Sequence, residues 1–168
     1  MNETLQRSSV PWTILLVDDE REVRNTLRKL LARSFPHATF LEASNGREGL
    51  SALRRRPIDL IITDQRMPEM DGLTFVKEAR LVSPGSARVI LTGFADVDLV
   101  QRAINEGHID AFYQKPPPGF AFTRVVAMLL EAHRAINHTQ AAFARAATLV
   151  RQAGGTPFVG PFLGDGTS

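Results

Sequence analysis

Cysteine is absent from the 168-residue sequence, and tryptophan and tyrosine occur once each. Without cysteine the chain has no disulfide bond, no thiolate metal site and no cysteine nucleophile. No apolar run approaches the roughly 18 residues that a membrane-spanning helix needs, and residues 1–10 lack the apolar core of a secretory signal. We therefore expect a cytoplasmic protein with an ordinary core, since 43% of its residues are hydrophobic.

The chain also has little excess charge of either sign. Twenty lysine and arginine residues against 18 aspartate and glutamate residues leave a formal net charge of +2. That excess is too small to indicate a surface for nucleic acid. The densest basic run, 54–56, stands just before Pro57 and is typical of the solvated last turn of a helix, where cations suit the helix dipole. We expect no direct binding to nucleic acid or to membranes.

Short apolar runs alternate with amphipathic segments along most of the chain. The apolar runs, three of them rich in branched residues as buried parallel strands are, lie at 13–17, 39–41, 58–63, 88–91 and 110–113. Segments with apolar residues at helical spacing lie at 20–34, 47–56, 71–82 and 96–106. The alternation predicts an α/β fold, a doubly wound five-stranded parallel sheet.

The C-terminal third has a different pattern. Residues 120–153 contain neither glycine nor proline, and their apolar residues recur at spacings of three and four, which predicts one long helix. The segment 154–168 is rich in glycine and proline and is expected to be a linker or a disordered end. Residues 1–11 are expected to form an N-terminal tail.

Charged and hydroxyl side chains directly follow four of the five predicted strands. Asp18 and Asp19 follow the first, Asp64 the third, Thr92 the fourth, and Lys115 comes shortly after the fifth. In an open parallel sheet these positions meet at one edge, where sites form. Each residue alone has an ordinary explanation, such as a turn, a helix cap or a solvated surface. Their joint placement predicts a site.

The predicted cluster suits phosphoryl transfer. Three neighbouring carboxylates repel one another, and a divalent cation such as Mg²⁺, which prefers oxygen ligands, removes that repulsion. A carboxylate can then attack a phosphoryl donor to give an acyl phosphate. The ammonium of Lys115 can stabilise the charge on the transferring oxygens, and Thr92 can hydrogen-bond to the phosphoryl group.

Four motifs resemble the receiver domain of bacterial two-component response regulators, across about residues 12–135. They are ILLVDDE at 14–20, LIITDQRMPEMDG at 60–72, VILTGF at 89–94 and AFYQKP at 111–116. The resemblance implies the strand order 2-1-3-4-5 of the chemotaxis receiver. If the receiver domain ends at residue 135, we expect residues 136–153 to form a helical extension of its last helix.

The resemblance also implies roles for individual residues. Asp64 is implied to be the phosphoacceptor, Asp19 and Asp64 to be direct ligands of Mg²⁺ (or Mn²⁺), and Asp18 to act through water. The backbone carbonyl of Arg66 is implied to be a further ligand. Thr92 is implied to be the switch hydroxyl.

Three more positions near the fifth strand match the family. Lys115 is implied to pair with the phosphoryl group, and Pro116 to follow it through a cis peptide bond. Phe112 occupies the aromatic switch position, where many members have tyrosine. A phenylalanine there can swing between positions but cannot donate a hydroxyl hydrogen bond.

Other functions remain open alongside this one. A metal-dependent phosphohydrolase on a similar sheet typically has a second acid two residues after its nucleophile, and this chain has Arg66 there. A receiver-like module could instead bind partners without phosphorylation. Neither a phosphate-binding Walker loop nor a GxGxxG motif occurs. The loop histidines His37 and His108 are expected to be solvated, and His133 and His138 to have no metal or phosphotransfer role.

The resemblance implies a sensor histidine kinase or phosphotransfer protein as the phosphoryl donor, and an unidentified downstream effector. The protein is expected to have no metabolic substrate, and to be either a stand-alone receiver or a fragment of a larger regulator. The 120–153 helix predicts a homodimer because apolar residues continue at coiled-coil spacing beyond the receiver. The two seams consist of Ile136, Phe143 and Val150, and of Ala132, Thr139 and Ala146.

Overall fold

A computed structural model describes residues 11–93, 97–106 and 108–152, and it contains five parallel strands in one sheet. The strands are β1 (Thr13–Val17), β2 (Thr39–Ala43), β3 (Leu60–Asp64), β4 (Ala87–Thr92) and β5 (Ala111–Gln114). Their order across the sheet is β2-β1-β3-β4-β5. The predicted doubly wound parallel sheet and its order are therefore confirmed.

Helices follow the strands in alternation. They are α1 (Arg21–Ser34), α2 (Gly46–Arg55), α3 (Gly72–Val82), α4 (Val97–Asn105) and α5 (Gly119–Gln152). Polar side chains cap the N-termini of two of these helices. The Asn45 side chain accepts a hydrogen bond of 2.9 Å from the Glu48 N–H at the start of α2, and Asp71 accepts one of 2.7 Å from the Thr74 N–H at the start of α3. Such caps satisfy N–H groups that have no partner within the helix.

The two faces of the sheet bury separate apolar clusters. Along β1, Leu15 and Val17 join a cluster with residues of α2 and α3, whereas Ile14 and Leu16 join another with residues of α1 and α5. The alternation follows from the two-residue period of a strand. The first cluster contains Phe75 of α3, and the second contains Phe122 of α5. Both side chains are fully buried. The sheet is therefore covered on both sides, as parallel sheets require.

The four strands β2 to β5 each extend one or two residues further than their apolar runs predicted. β3 ends at Asp64 because the register that pairs Thr63 with Ile90 continues to pair Asp64 with Leu91. β4 ends at Thr92 because Thr92 pairs with Gln114 of β5. A backbone can keep its ladder bonds after the apolar side chains stop. The two polar residues are therefore held by the sheet and do not lie in the loops that follow.

The last helix is continuous from Gly119 to Gln152. The chain divides into two compact units between His133 and Arg134. In the first unit Phe122, Val126 and Leu130 are buried. In the second unit Ile136 is 52% exposed and Phe143 63% exposed. No described helix has the length and apolar character to cross a membrane. The predicted tails at 1–11 and 154–168 lie outside the described residues, except for Pro11.

Candidate acidic site at the carboxyl edge of the sheet

Three carboxylates meet at the carboxyl ends of β1 and β3. Asp18 and Asp19 directly follow β1, and Asp64 is the last residue of β3. One oxygen from each can be chosen so that all three lie within 4.8 Å of one another. Asp18 and Asp64 are buried and Asp19 is exposed. The three predicted carboxylates are therefore in one cluster, open to solvent on the side of Asp19.

The side chain of Lys115 reaches this cluster from β5. Its Nζ lies 2.7 Å from Asp18 Oδ2 and 2.9 Å from Asp64 Oδ1. The Lys115 N–H also donates to the Thr92 carbonyl at 2.9 Å, which fixes the backbone just beyond β5 to the end of β4. One ammonium thus bridges the two buried carboxylates, and the sheet holds it there.

Burial and these ion pairs shift the pKa values of the site. Burial raises the pKa of Asp64 above its ordinary value, although the hydrogen bond from Lys115 opposes that shift. Burial by itself would lower the pKa of Lys115, but hydrogen bonds to Asp18 and Asp64 outweigh it and raise that pKa. Lys115 is therefore a cation at neutral pH, and it supports negative charge on Asp64.

The loop after β3 approaches its own strand closely at Gly72. A Cβ atom on Gly72 would lie 2.2 Å from the carbonyl oxygen of Asp64 and 2.9 Å from the Cα of Gln65. The Gly72 N–H donates to the Gln65 carbonyl at 2.9 Å, and Gln65 Oε1 accepts from the Leu73 N–H at 3.0 Å. Only glycine fits here, and the contact holds the backbone at Asp64 and at the residue that follows it.

The two predicted switch residues lie on β4 and β5. Thr92 is 1% exposed, and its hydroxyl donates to the Gly93 carbonyl at 3.1 Å. Phe112 lies in the middle of β5, is partly buried, and packs against the cluster that contains Phe75. Thr92 is thus buried at the end of β4, whereas Phe112 remains partly accessible to solvent.

The remaining two predicted residues flank the cluster. Arg66 lies in the loop two residues beyond Asp64 and is exposed. The peptide bond between Lys115 and Pro116 is cis.

The donor set of the cluster fits a hard divalent cation. Carboxylate oxygens are the ligands that Mg²⁺ prefers, and Mg²⁺ commonly binds one or two carboxylates together with water and phosphate oxygens. The exposed side chain of Asp19 leaves room for those waters. The described residues therefore contain an acidic pocket that could hold such an ion beside the carboxylate of Asp64.

Sequence reasoning missed Arg24 and the histidine contacts. The guanidinium of Arg24 donates to the Asp18 carbonyl at 2.7 Å, a contact that no spacing rule indicates. His133 pairs with Asp110 at 2.9 Å. The expectation that His108 is solvated was wrong, because its Nδ1 atom is buried and its Nε2 lies 3.2 Å from Glu106. His37 is exposed, as expected.

Comparison with known proteins identifies the family. A family model described as the response regulator receiver domain matches residues 14–129. The hydrogenase transcriptional regulatory protein HoxA of Cupriavidus necator is 35% identical over 104 residues, which are 62% of this chain and 21% of that protein. The DNA-binding transcriptional regulator NtrC of Escherichia coli is 35% identical over 127 residues, which are 76% of this chain and 25% of that protein.

A solved structure of another protein supports the same family assignment. The signal receiver domain of an HD domain-containing protein from Pseudomonas fluorescens is 31% identical and superposes with a TM-score of 0.69, covering 75% of this chain and 99% of that one. By contrast, the chain spans only 21% and 25% of the two curated relatives named above. The match of sequence and fold through the acidic pocket shows that the chain belongs to the response regulator receiver domain family.

Proposed function

We propose that Asp64 accepts a phosphoryl group and that the domain signals through the resulting change of its surface. The observation that carries the proposal is the position of Asp64: a buried carboxylate, 2.9 Å from the ammonium of Lys115 and clustered with Asp18 and Asp19. A carboxylate in that setting has a cation to stabilise incoming oxygens and a metal pocket beside it.

The chemistry is a nucleophilic displacement at phosphorus. An oxygen of Asp64 forms a bond to phosphorus while the bond between phosphorus and the donor breaks, and the departing group takes up a proton. Lys115 then exchanges its pairing with the Asp64 carboxylate for pairing with a phosphoryl oxygen. Bound Mg²⁺ or Mn²⁺, held by Asp19 and Asp64 and through water by Asp18, would neutralise charge on the transferring oxygens.

The remaining predicted residues complete this scheme. The backbone carbonyl of Arg66 is a further metal ligand, and Pro116 holds the backbone after Lys115. Once the phosphoryl group is present, the Thr92 hydroxyl leaves the Gly93 carbonyl, its acceptor at 3.1 Å, and donates to a phosphoryl oxygen. Phe112 repacks in response. Its partial burial supports such movement, because repacking exposes little new apolar surface.

The proposed partners follow from the family. A sensor histidine kinase or a phosphotransfer protein supplies the phosphoryl group, an unidentified effector receives the signal, and the protein works in the cytoplasm. The proposed receiver domain comprises residues 12–135, with 136–153 as a helical extension between it and the 154–168 tail. Arg66 stands where a phosphohydrolase has its second acid, which supports signalling without a metabolic substrate.

We also propose a homodimer through the C-terminal helix. Ile136 and Phe143 lie seven residues apart and are 52% and 63% exposed. Two such helices can cover these side chains by pairing along the seam. An isolated helix gains little stability by itself.

The central experiment is labelling with acetyl phosphate in the presence of Mg²⁺, followed by mapping of the adduct by mass spectrometry. We expect one phosphoryl group on Asp64, and none on Asp64→Asn. Asp98→Asn, a change at an exposed carboxylate of α4, is the matched control and should label normally. Labelling of another residue, or a wild-type protein that binds Mg²⁺ but takes up no phosphoryl group, would favour the phosphorylation-independent binding module.

A further inference from the structure

The turn that carries Asp18 and Asp19 is held by a side chain from α1. The side chain of Arg24 is 12% exposed, and its Nη1 donates to the Asp18 carbonyl at 2.7 Å. Its Nε donates to Glu42 Oε2 on β2 at 3.3 Å. Arg24 therefore ties the backbone of the turn to the neighbouring strand.

At least three further contacts hold Asp18 in the same turn. The Asp18 N–H donates to the Ala43 carbonyl at 3.2 Å, and the Glu20 N–H donates to Asp18 Oδ1 at 2.9 Å. The second oxygen of Asp18 pairs with Lys115 at 2.7 Å. Asp19 is exposed, so its direction depends on the backbone of this turn.

We propose that Arg24 is a positioning residue for the divalent metal site: it holds the Asp18–Asp19 turn in the conformation that binds the ion. The inference rests on the proposed metal site and adds a residue that contributes no ligand atom. Partners outside the ligand set orient ligands in many metal sites, and their loss weakens metal binding.

The direction of the change in Mg²⁺ affinity distinguishes a positioning role of Arg24 from a purely electrostatic one. Arg24 is a cation beside an acidic pocket, so if its charge alone mattered, removing it would reduce repulsion and strengthen the binding of Mg²⁺. If it positions the turn, its removal weakens binding in spite of the lost repulsion. Lysine keeps the charge but lacks the planar fork that spans two acceptors, so Arg24→Lys should also bind Mg²⁺ more weakly.

A matched control lies one turn further along α1. Arg28 Nη1 lies 3.9 Å from the other oxygen of Glu42, and its side chain is 59% exposed. Arg28→Gln removes the same charge from the same helix and the same acidic partner. It should leave the affinity for Mg²⁺ close to that of the wild-type protein.

The test is calorimetric titration of the full chain with Mg²⁺, at a temperature where circular dichroism shows each variant to be folded. We expect about tenfold weaker binding for Arg24→Gln, a smaller loss for Arg24→Lys, and little change for Arg28→Gln. Binding by Arg24→Gln as tight as wild type, or tighter, would overturn the proposal. If Arg24→Gln does not fold, Arg24→Lys decides the question.

A second measurement needs no metal. The Glu20 N–H donates to Asp18 Oδ1 only while the turn keeps its conformation, so its hydrogen exchange in metal-free protein should be faster in Arg24→Lys than in wild type or Arg28→Gln. Unchanged exchange would refute the positioning role. A wild-type protein that binds no Mg²⁺ would instead refute the metal site, and the exchange comparison would still test Arg24.

Discussion

His133 of α5 lies within hydrogen-bonding distance of Asp110, the residue before β5, and the two form an ion pair when the imidazole is protonated. His133 Nε2 lies 2.9 Å from Asp110 Oδ1, and its Nδ1 lies 3.3 Å from the carbonyl of Gly85. A carbonyl and an ionised carboxylate can only accept, so the protonated imidazole, with a proton on each ring nitrogen, is the form that satisfies both contacts. The hydrogen bond with Asp110 raises the pKa of His133 above its ordinary value, although burial and the nearby charge of Arg88 oppose the shift.

The first prediction follows from the sign of that shift. A histidine whose pKa is higher in the folded than in the unfolded state stabilises the fold fully below its unfolded pKa of about 6.5, and this contribution is lost as pH rises through the folded value. Asp110 has a lowered pKa: burial alone would raise it, but hydrogen bonds from His133 and the Arg88 N–H outweigh burial. Its contribution is lost only as pH falls through that lowered pKa, in the acid range.

We therefore expect the melting temperature to fall between pH 6 and pH 9 by more in wild type than in His133→Gln. For a chain of this size, about 2–4 °C corresponds to 1 kcal/mol. Exposed His37 provides the control, since His37→Gln should keep the wild-type pH dependence. A direct check is the NMR titration of the His133 ring. Equal pH dependence in wild type and His133→Gln would contradict the prediction.

The sheet could be predicted from sequence because local patterns determine it. Branched apolar runs such as 13–17 mark strands, and the rule that parallel strands end at one edge brought Asp18, Asp64 and Lys115 together. The exact strand ends could not be predicted, because Asp64 and Thr92 keep ladder bonds after the apolar run stops.

Long-range side-chain contacts could not be predicted from the sequence either. Arg24 and Glu42 lie 18 residues apart, and His133 and Asp110 lie 23 residues apart. No helical or strand period relates such pairs, so only the packing of α1 against β2, or of α5 near β5, reveals them. The site could be named from sequence, but the residues that hold it in place could not.

The second prediction concerns the exposed carboxylate of Asp19, which we propose as a metal ligand. Asp19→Ala should bind Mg²⁺ at least about tenfold more weakly, because one of the two proposed direct carboxylate ligands is lost. Without metal, its melting temperature should equal or exceed that of the wild-type protein, since one repulsive charge beside Asp18 and Asp64 is removed. Titration calorimetry and thermal melts measure both. Glu22→Ala, at an exposed acid of the first turn of α1, is the control, and wild-type affinity in Asp19→Ala would refute the ligand role.

The third prediction separates phosphorylation from switching. Lys115→Ala should still bind Mg²⁺ and still acquire the phosphoryl group on Asp64, but its backbone amide spectrum around Thr92 should change less on phosphorylation. Lys115 pairs with Asp18 and Asp64 before the group arrives, so its loss also leaves two buried carboxylates without that cation and should cost about 1–3 kcal/mol of stability. A spectral change equal to that of wild type at equal phosphorylation would contradict this assignment.

The fourth prediction tests the close approach at Gly72. In Gly72→Ala the new Cβ would meet the backbone of Asp64 at 2.2 Å, and backbone atoms cannot move aside as a flexible side chain can. The loop beside the phosphoacceptor must therefore shift, with an expected loss of about 1–3 kcal/mol and slower labelling by acetyl phosphate. Gly93→Ala is the control, because none of the described residues places an atom within 4 Å of its Cβ position. Similar stability and labelling in the two variants would be evidence against the constraint.

The fifth prediction concerns the seam of the C-terminal helix, residues 134–152. The charged residues in this segment are all arginines: Arg134, Arg145 and Arg151. Paired copies therefore bring like charges near one another, and we expect a weak dimer whose association increases as added salt screens that repulsion. Light scattering at several protein and salt concentrations measures this directly.

Two variants locate the contact. Phe143→Ser removes a large exposed apolar side chain from the seam and should shift the protein to monomer. Ala141→Ser lies about 200° around the helix from Phe143, at about 100° per residue, and should leave association unchanged. A chain ending at Arg134 should be monomeric and still accept a phosphoryl group, because the apolar contacts of α5 with the sheet come from Phe122, Val126 and Leu130. An intact chain that stays monomeric at high salt, with and without acetyl phosphate, would eliminate the proposed dimer.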